Sequence, residues 1–187
     1  MAKLFLILGT PGAGKSTVLK GIQGVEICNI GTELLEAYQK ESRVIERDKL
    51  KAMEITGYAD VMRLRKGVFE RLVKRSGTIL IDTHPSVKSG NAYVPGLSAD
   101  DLKVLKDQIK AIIYIDAETK DIMKRRAKDN ARNREQDSID LLNQHKEINL
   151  AFTTDYAIYL GAPLFIIMNG SDLKETQEKV SEAIKEF

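Results

Sequence analysis

The amino terminus carries the feature that most restricts this chain: Lys3-Leu4-Phe5-Leu6-Ile7-Leu8 runs straight into Gly9-Thr10-Pro11-Gly12-Ala13-Gly14-Lys15-Ser16. An apolar run of strand length feeds the pattern G-x-x-x-x-G-K-[ST], and Thr17-Val18-Leu19-Lys20-Gly21-Ile22 behind it can continue as a helix. The physics of such a loop is narrow. Glycines allow successive backbone N–H groups to converge on phosphate oxygens. The helix start adds the positive end of its dipole. Lys15 supplies a point charge for β- and γ-phosphates, and the Ser16 hydroxyl can ligate Mg²⁺. Pro11 fixes its own φ and has no N–H to misplace. Gly9, Thr10, Pro11, Gly12, Ala13, Gly14, Lys15, Ser16 and Thr17 are therefore the candidate nucleotide-phosphate site.

At 187 residues the chain is long enough for one domain with a real core. A formal charge of +2 does not suggest a globally basic nucleic-acid binder, although a local basic patch remains open. The single cysteine, Cys28, excludes an intrachain disulfide and reads as a small core residue, and no Cys/His cluster offers a zinc site. The first apolar run is too short for a membrane span, and no other stretch approaches the roughly 18 apolar residues one needs. A soluble, cytoplasmic protein without membrane partners is expected.

Five apolar runs read as strands: Leu4–Leu8, Val25–Ile30, Thr78–Ile81, Ala111–Ile115 and Leu164–Met168. They are continuous rather than alternating, as in strands buried on both faces of a parallel sheet. Helical patterns separate them: Ser16–Ile22, Tyr58–Arg75, Thr119 to about Asn130, and Ser138–Leu160 ended by Gly161. Ser98-Ala99-Asp100-Asp101 opens a further helix to about Gln108 as a capping box, and Ser171 can cap a last helix over Asp172–Glu186. This alternation predicts an open α/β sheet with helices on both faces. Two segments interrupt it. Residues 31–57 read as two short helices around Gln39–Glu46, and residues 127–137 are rich in charge and Asn. Both are either covers over the carboxyl edge of the sheet, where ligands of such sheets bind, or simple solvated connections.

A second constellation lies between Lys120 and Arg134, where seven Lys/Arg (Lys120, Lys124, Arg125, Arg126, Lys128, Arg132, Arg134) face only Asp121 and Asp129. At about 100° per residue, Arg125, Lys128 and Arg132 share a face as long as the helix persists. Arginine forks suit phosphate oxygens, although a basic run alone is as readily a solvated face. Asp82 ends the third strand, the place where phosphate-loop proteins keep the carboxylate that orients Mg²⁺, directly or through water. His84 is either an acceptor contact or a turn residue. A general base is not required, because a nucleotide phosphate is already largely dianionic at neutral pH. A GTPase reading is weak: Asp82-Thr83-His84-Pro85 lacks the D-x-x-G glycine, and no N-K-x-D sequence occurs. Asn169-Gly170-Ser171-Asp172 is either an adenine-side loop or a plain helix entry.

Taken together, these parts resemble the nucleoside monophosphate kinases, and more closely the archaeal type of adenylate kinase, over essentially the whole chain. The likeness rests on the phosphate loop, Gly31, and Glu46-Arg47-Asp48-Lys49-Leu50-Lys51. It also rests on Asp82-Thr83-His84 with Tyr93-Val94-Pro95-Gly96-Leu97, on Arg125-Arg126, on Arg132-Asn133-Arg134 and on Gln144-His145. The resemblance implies an α/β, three-layer P-loop NTPase fold with a five-stranded parallel sheet and a single kinase domain. The core would comprise residues 1–30, 58–126 and 138–187, with a helical acceptor insert at 31–57 and a short lid at 127–137. It implies Mg²⁺-dependent, reversible transfer from ATP to AMP giving two ADP. Lys15, Arg125, Arg132 and Arg134 would act on the moving phosphoryl group. Thr32, Arg47, Thr83, His84 and Arg126 would hold AMP, and Ser16 and Asp82 would attend the metal. It further implies a homotrimer, for which Leu97, Leu102, Val104 and Leu105 could serve unless they pack on the domain's own sheet. Thr83-His84-Pro85 stand where most adenylate kinases place Gly-Phe-Pro-Arg, so the residues name neither the acceptor-phosphate ligand nor the base. Two alternatives remain: a kinase for CMP or UMP, and an adenylate-kinase-like ATPase switch in RNA or ribosome assembly. In the latter, Arg63-Leu64-Arg65-Lys66 and Lys124–Arg134 would face RNA. Nucleic acid is otherwise not an expected partner.

Overall fold

The computed structural model describes residues 2–41, 58–128 and 138–187. Its centre is a five-stranded parallel sheet in the order β2-β3-β1-β6-β7, with β1 Lys3–Leu8, β2 Glu26–Asn29, β3 Thr78–Asp82, β6 Ile109–Asp116 and β7 Leu164–Met168. All five expected strands are present. The pleat sorts β1 cleanly. Leu4, Leu6 and Leu8 join Ile79, Ile81, Ile112 and Tyr114 in one core layer. Phe5 and Ile7 join Leu80, Ala111, Ile113 and Ile115 in the other. Both faces are therefore apolar, which is why these strands read as unbroken apolar runs.

Helices α2 (Ile30–Lys40), α3 (Tyr58–Leu72), α4 (Ala99–Leu105) and α6 (Ile139–Leu160) cover the first layer. Helices α1 (Lys15–Leu19) and α7 (Leu173–Lys185) cover the second, and α5 (Thr119–Lys128) lies beside the phosphate loop. Ala13 of the loop packs with Ala117, Ile122 and Leu142, tying loop, α5 and α6 into one small apolar cluster. Connections from β1 run to one side of the sheet and those from β3 onward to the other. The loop leaving β1 thus sits at the centre of the carboxyl edge, where such sheets bind ligands.

Several local expectations change. Helix α1 stops at Leu19 rather than Ile22, because Gly21 and Ile22 close tighter turns onto Val18 and Leu19 before Gly24 at φ 74°. Strand β2 ends at Asn29, which also caps α2 by accepting from the Thr32 N–H at 3.1 Å. The first of the two expected short helices is thus α2, which runs from Ile30 to Lys40. The rest of the expected helical pair, residues 42–57, lies outside the described residues. Asp172, not Ser171, caps α7 by accepting from the N–H groups of Lys174 and Glu175. The capping box at Ser98 and Asp101 forms as expected. An unexpected antiparallel hairpin, β4 (Ser86–Ser89) and β5 (Ala92–Pro95), turns at Gly90-Asn91 with Gly90 at φ 58°. A two-residue Gly-Asn loop is its sequence signal.

Leu97, Leu102 and Leu105 are buried within the chain's own core, with Val104 packed against it, so these residues are not a free oligomer surface. No helix among the described residues is long and apolar enough to cross a membrane.

Candidate active site

The phosphate loop is braced from behind. Arg125 donates through one guanidinium nitrogen to the Ala13 carbonyl at 2.9 Å and through the other to the Asn169 carbonyl at 3.2 Å. Arg126 donates twice to the Pro11 carbonyl, at 3.0 and 2.8 Å. The buried Asn169 amide adds a third donor, to the Ala13 carbonyl at 2.7 Å. A trans peptide points its N–H opposite to its C=O. Holding the Pro11 and Ala13 carbonyls outward therefore turns the N–H groups of Gly12 and Gly14 to the other side of the loop, as an anion cradle requires. Two glycines are obligatory here. A Cβ on Gly9 would lie 2.1 Å from the Ile115 carbonyl oxygen. One on Gly14, at φ 92°, would meet the Asn169 amide at 2.3 Å.

Lys15 is 6% exposed, and its ammonium donates to the Gly9 carbonyl at 3.1 Å, folded over the same loop. Ser16 and Thr17 open to the surface at the start of α1. Asp82 is buried at the end of β3, in register with Ile7 of β1 and Asn29 of β2. Leu80 belongs to the layer covered by α1, so the pleat sends the Asp82 side chain to that same face. Its Oδ2 accepts from the Asn29 amide at 2.8 Å. Asn29 Oδ1 in turn accepts from both the N–H and the hydroxyl of Thr32. One asparagine thus joins the strand-end carboxylate to the first turn of the acceptor-side helix.

Among the described residues no group of three or more His, Cys, Asp or Glu gathers as a metal cage. One buried carboxylate on the face of α1, with a hydroxyl at the start of that helix, is instead the sparse donor set that suits Mg²⁺. That ion keeps its waters and takes most of its other ligands from phosphates.

Thr83 and His84 continue from Asp82, with the Thr83 N–H donating to the Ile7 carbonyl at 3.2 Å. Their path is set by a close approach: the Gly96 N–H donates to the Pro85 carbonyl at 2.7 Å, and a Cβ on Gly96 would lie 1.8 Å from the His84 carbonyl oxygen. The Tyr156 hydroxyl donates to the Pro85 carbonyl at 2.8 Å and accepts from the Leu97 N–H at 3.2 Å. Burial pushes the Tyr156 and Tyr114 hydroxyls up to about 12, so both stay neutral.

Among the described residues Arg125 and Arg126 bond to the loop, Asp82 is joined through Asn29 to Thr32, and Thr83 bonds to Ile7 of β1 with His84 next to it in the chain. Arg47, Arg132 and Arg134 lie outside the described residues. Sequence reasoning missed Asn29, Ser86, Asn149 and the clamp made by Asn169. Asn29 carried a signal, an amide at a strand-to-helix junction, which is a preferred N-cap. Asn169 stood in the 169–172 segment, read as a base-side loop or a helix entry. Ser86 and Asn149 have no local signature. The Arg63–Lys66 cluster is no open basic patch. Arg65 pairs with Asp101 at 2.7 Å in the interior, Arg63 makes a fork with Glu41, and Lys66 lies 3.9 Å from Glu70.

Comparison with known proteins agrees with this geometry. The family profile AAA_17, described as an AAA domain, matches residues 8–143. The adenylate kinase of Thermoplasma acidophilum is 34% identical over 167 residues, covering 88% of each chain. That of Methanopyrus kandleri is 30% identical over 192 residues, covering 100% of this chain and 96% of its own. In three dimensions a shikimate kinase from Bacteroides thetaiotaomicron superposes with a TM-score of 0.64 at 13% identity, over 98% of each chain, which speaks for the fold alone. Matched along nearly its whole length by adenylate kinases sharing about a third of its residues, the chain belongs to the archaeal adenylate kinases.

Proposed function

We propose that the adenylate kinase activity of this chain, reversible transfer of a phosphoryl group from ATP to AMP giving two ADP, runs through the braced loop and the strand-end aspartate. The observation that carries this reading is the loop itself. Three donors from Arg125, Arg126 and Asn169 fix its outward carbonyls, and Asp82 stands on the face of α1. Lys15 and the loop amides hold the ATP phosphates. Ser16 and Asp82 hold Mg²⁺, which supplies charge neutralisation at the phosphates when bound. Thr32, Thr83 and His84 face the acceptor with Arg47 from the insert at 31–57. Arg125 and Arg126 add permanent charge beside the loop, and Arg132 and Arg134 close from the lid at 127–137. The acceptor phosphate is already an anion, so the residues have to position and neutralise rather than remove a proton. Closure also keeps water from replacing AMP as acceptor. We place the protein in the cytoplasm. The homotrimer we propose from the family likeness draws on surface other than Leu97, Leu102 and Leu105.

The test is ADP formation from MgATP with AMP, CMP, UMP, GMP or no acceptor at matched concentrations. Rapid turnover with AMP alone is expected. Equal ATP loss without acceptor overturns the kinase reading in favour of an ATPase, and preference for CMP or UMP overturns the choice of acceptor.

A further inference from the structure

A chain of buried polar side chains runs beneath α6 and reaches Thr10 of the phosphate loop. His145 Nε2 lies 3.3 Å from Ser86 Oγ. The Ser86 hydroxyl donates to Asn149 Oδ1 at 2.6 Å. Asn149 Nδ2 donates to Thr10 Oγ1 at 3.1 Å, and Thr10 Oγ1 lies 3.1 Å from the Tyr114 hydroxyl. Donor and acceptor roles fix one direction. The Ser86 proton is committed to Asn149, so His145 donates to Ser86. Asn149 is fully buried and uses both ends of its amide, the oxygen toward Ser86 and the nitrogen toward Thr10. Thr10 and Ser86 share no hydrogen bond with each other. Thr10 is the second residue of the phosphate loop, and Ser86 begins the hairpin after Asp82-Thr83-His84-Pro85. A packed apolar interior would be at least as stable as such a network, so its use lies in geometry.

We propose that Asn149 is a positioning residue that holds the donor-phosphate loop in register with the acceptor-side segment 83–86. The two segments follow β1 and β3, neighbouring strands of one sheet, and Ser86 then starts the separate β4-β5 hairpin. The Asn149 amide is the rigid spacer between them. In-line transfer depends on that spacing: a misplacement of about 1 Å remote from the chemistry costs on the order of 10²-fold in rate. Losing the spacer therefore lowers kcat while each nucleotide still finds its own site.

The inference rests on the phosphotransferase reading, so the experiment carries one readout that needs turnover and one that does not. In the full chain, Asn149→Ala is expected to lower kcat at least about tenfold. The KM values for ATP and AMP should each stay within about threefold. The single variants Thr10→Val and Ser86→Ala and their double variant leave Asn149 in place. Because both act through its amide, the double variant is expected to lose little more kcat than the worse single variant. Hydrogen–deuterium exchange without nucleotide is expected to rise in Asn149→Ala at residues 9–16 and 83–88 together. Unchanged kcat, single effects on kcat that multiply to within about twofold, or exchange rising only along α6 each overturns the proposal. Wild-type enzyme that forms no ADP overturns the kinase reading instead, and the exchange result then decides the positioning role alone.

Discussion

Gly96→Ala is a severe change for one methyl group. A Cβ there would sit 1.8 Å from the His84 carbonyl oxygen, 2.8 Å from its carbon and 2.9 Å from the Pro85 carbonyl oxygen. All three are backbone atoms, so no flexible side chain can swing aside. A carbon rests against a carbonyl oxygen at roughly 3.3 Å, so the two backbone segments must part by about 1.5 Å. That opening stretches the bond from Gly96 N–H to Pro85 O from 2.7 Å to about 4.2 Å, beyond hydrogen-bond length. Overpacking of this kind costs about 1–3 kcal/mol, and a buried bond left unmade adds about 1–3 kcal/mol, giving about 4 kcal/mol as a central figure. For a domain of this size that corresponds to a fall in Tm of about 8–16 °C. Thermal unfolding followed by circular dichroism reads it directly. His84 moves with the displaced carbonyl, so the KM for AMP should rise while that for ATP holds. A Tm within about 2 °C of wild type, with unchanged KM for AMP, would refute the claim that this contact sets the path of residues 83–86.

Two further predictions follow from buried groups. Arg65 and Asp101 form an interior ion pair at 2.7 Å, with Asp101 Oδ2 also accepting from the Ser98 N–H and hydroxyl. Arg65→Ala strands that carboxylate and should cost about 3–5 kcal/mol in urea unfolding, and a loss under about 1 kcal/mol would contradict the pairing. Cys28 is pushed up to about 12 by burial, reinforced by the Glu33 carboxylate, and burial raises Tyr114 and Tyr156 to about 12 as well. Folding thus favours the neutral form of each. The stability this contributes is complete below the unfolded values, near 8.5 for the thiol and 10 for the phenols, and is lost as pH climbs toward 12. Stability should fall by about 1.4 kcal/mol per pH unit for each group titrating in that window. Cys28→Ala should flatten the first part of the slope, between about pH 8.5 and 10. Urea midpoints that stay level to pH 11 would show that these groups are not buried as described.

The sequence by itself determined everything that depends on neighbours along the chain. The central strands β1, β3 and β6 were readable because a sheet covered on both faces demands apolar runs, and β1 shows the two layers in Leu4-Leu6-Leu8 against Phe5-Ile7. The phosphate loop was readable because its glycines, Lys15 and Ser16 are all contributed by one short segment. The Ser98–Asp101 capping box was readable for the same reason. Tertiary structure decided what depends on segments far apart in the chain. Nothing near Arg125 or Arg126 says that their partners are the carbonyls of Ala13 and Pro11, more than a hundred residues earlier. Leu97, Leu102 and Leu105 could face a partner or the chain's own core by pattern alone, and the packing of α4 against α3 and α6 buried them. Asn149 looks like any polar residue on a long helix until the fold sets it between Thr10 and Ser86. A hydrogen bond has no periodicity to betray it; its partners are chosen only when packing brings them within about 3 Å.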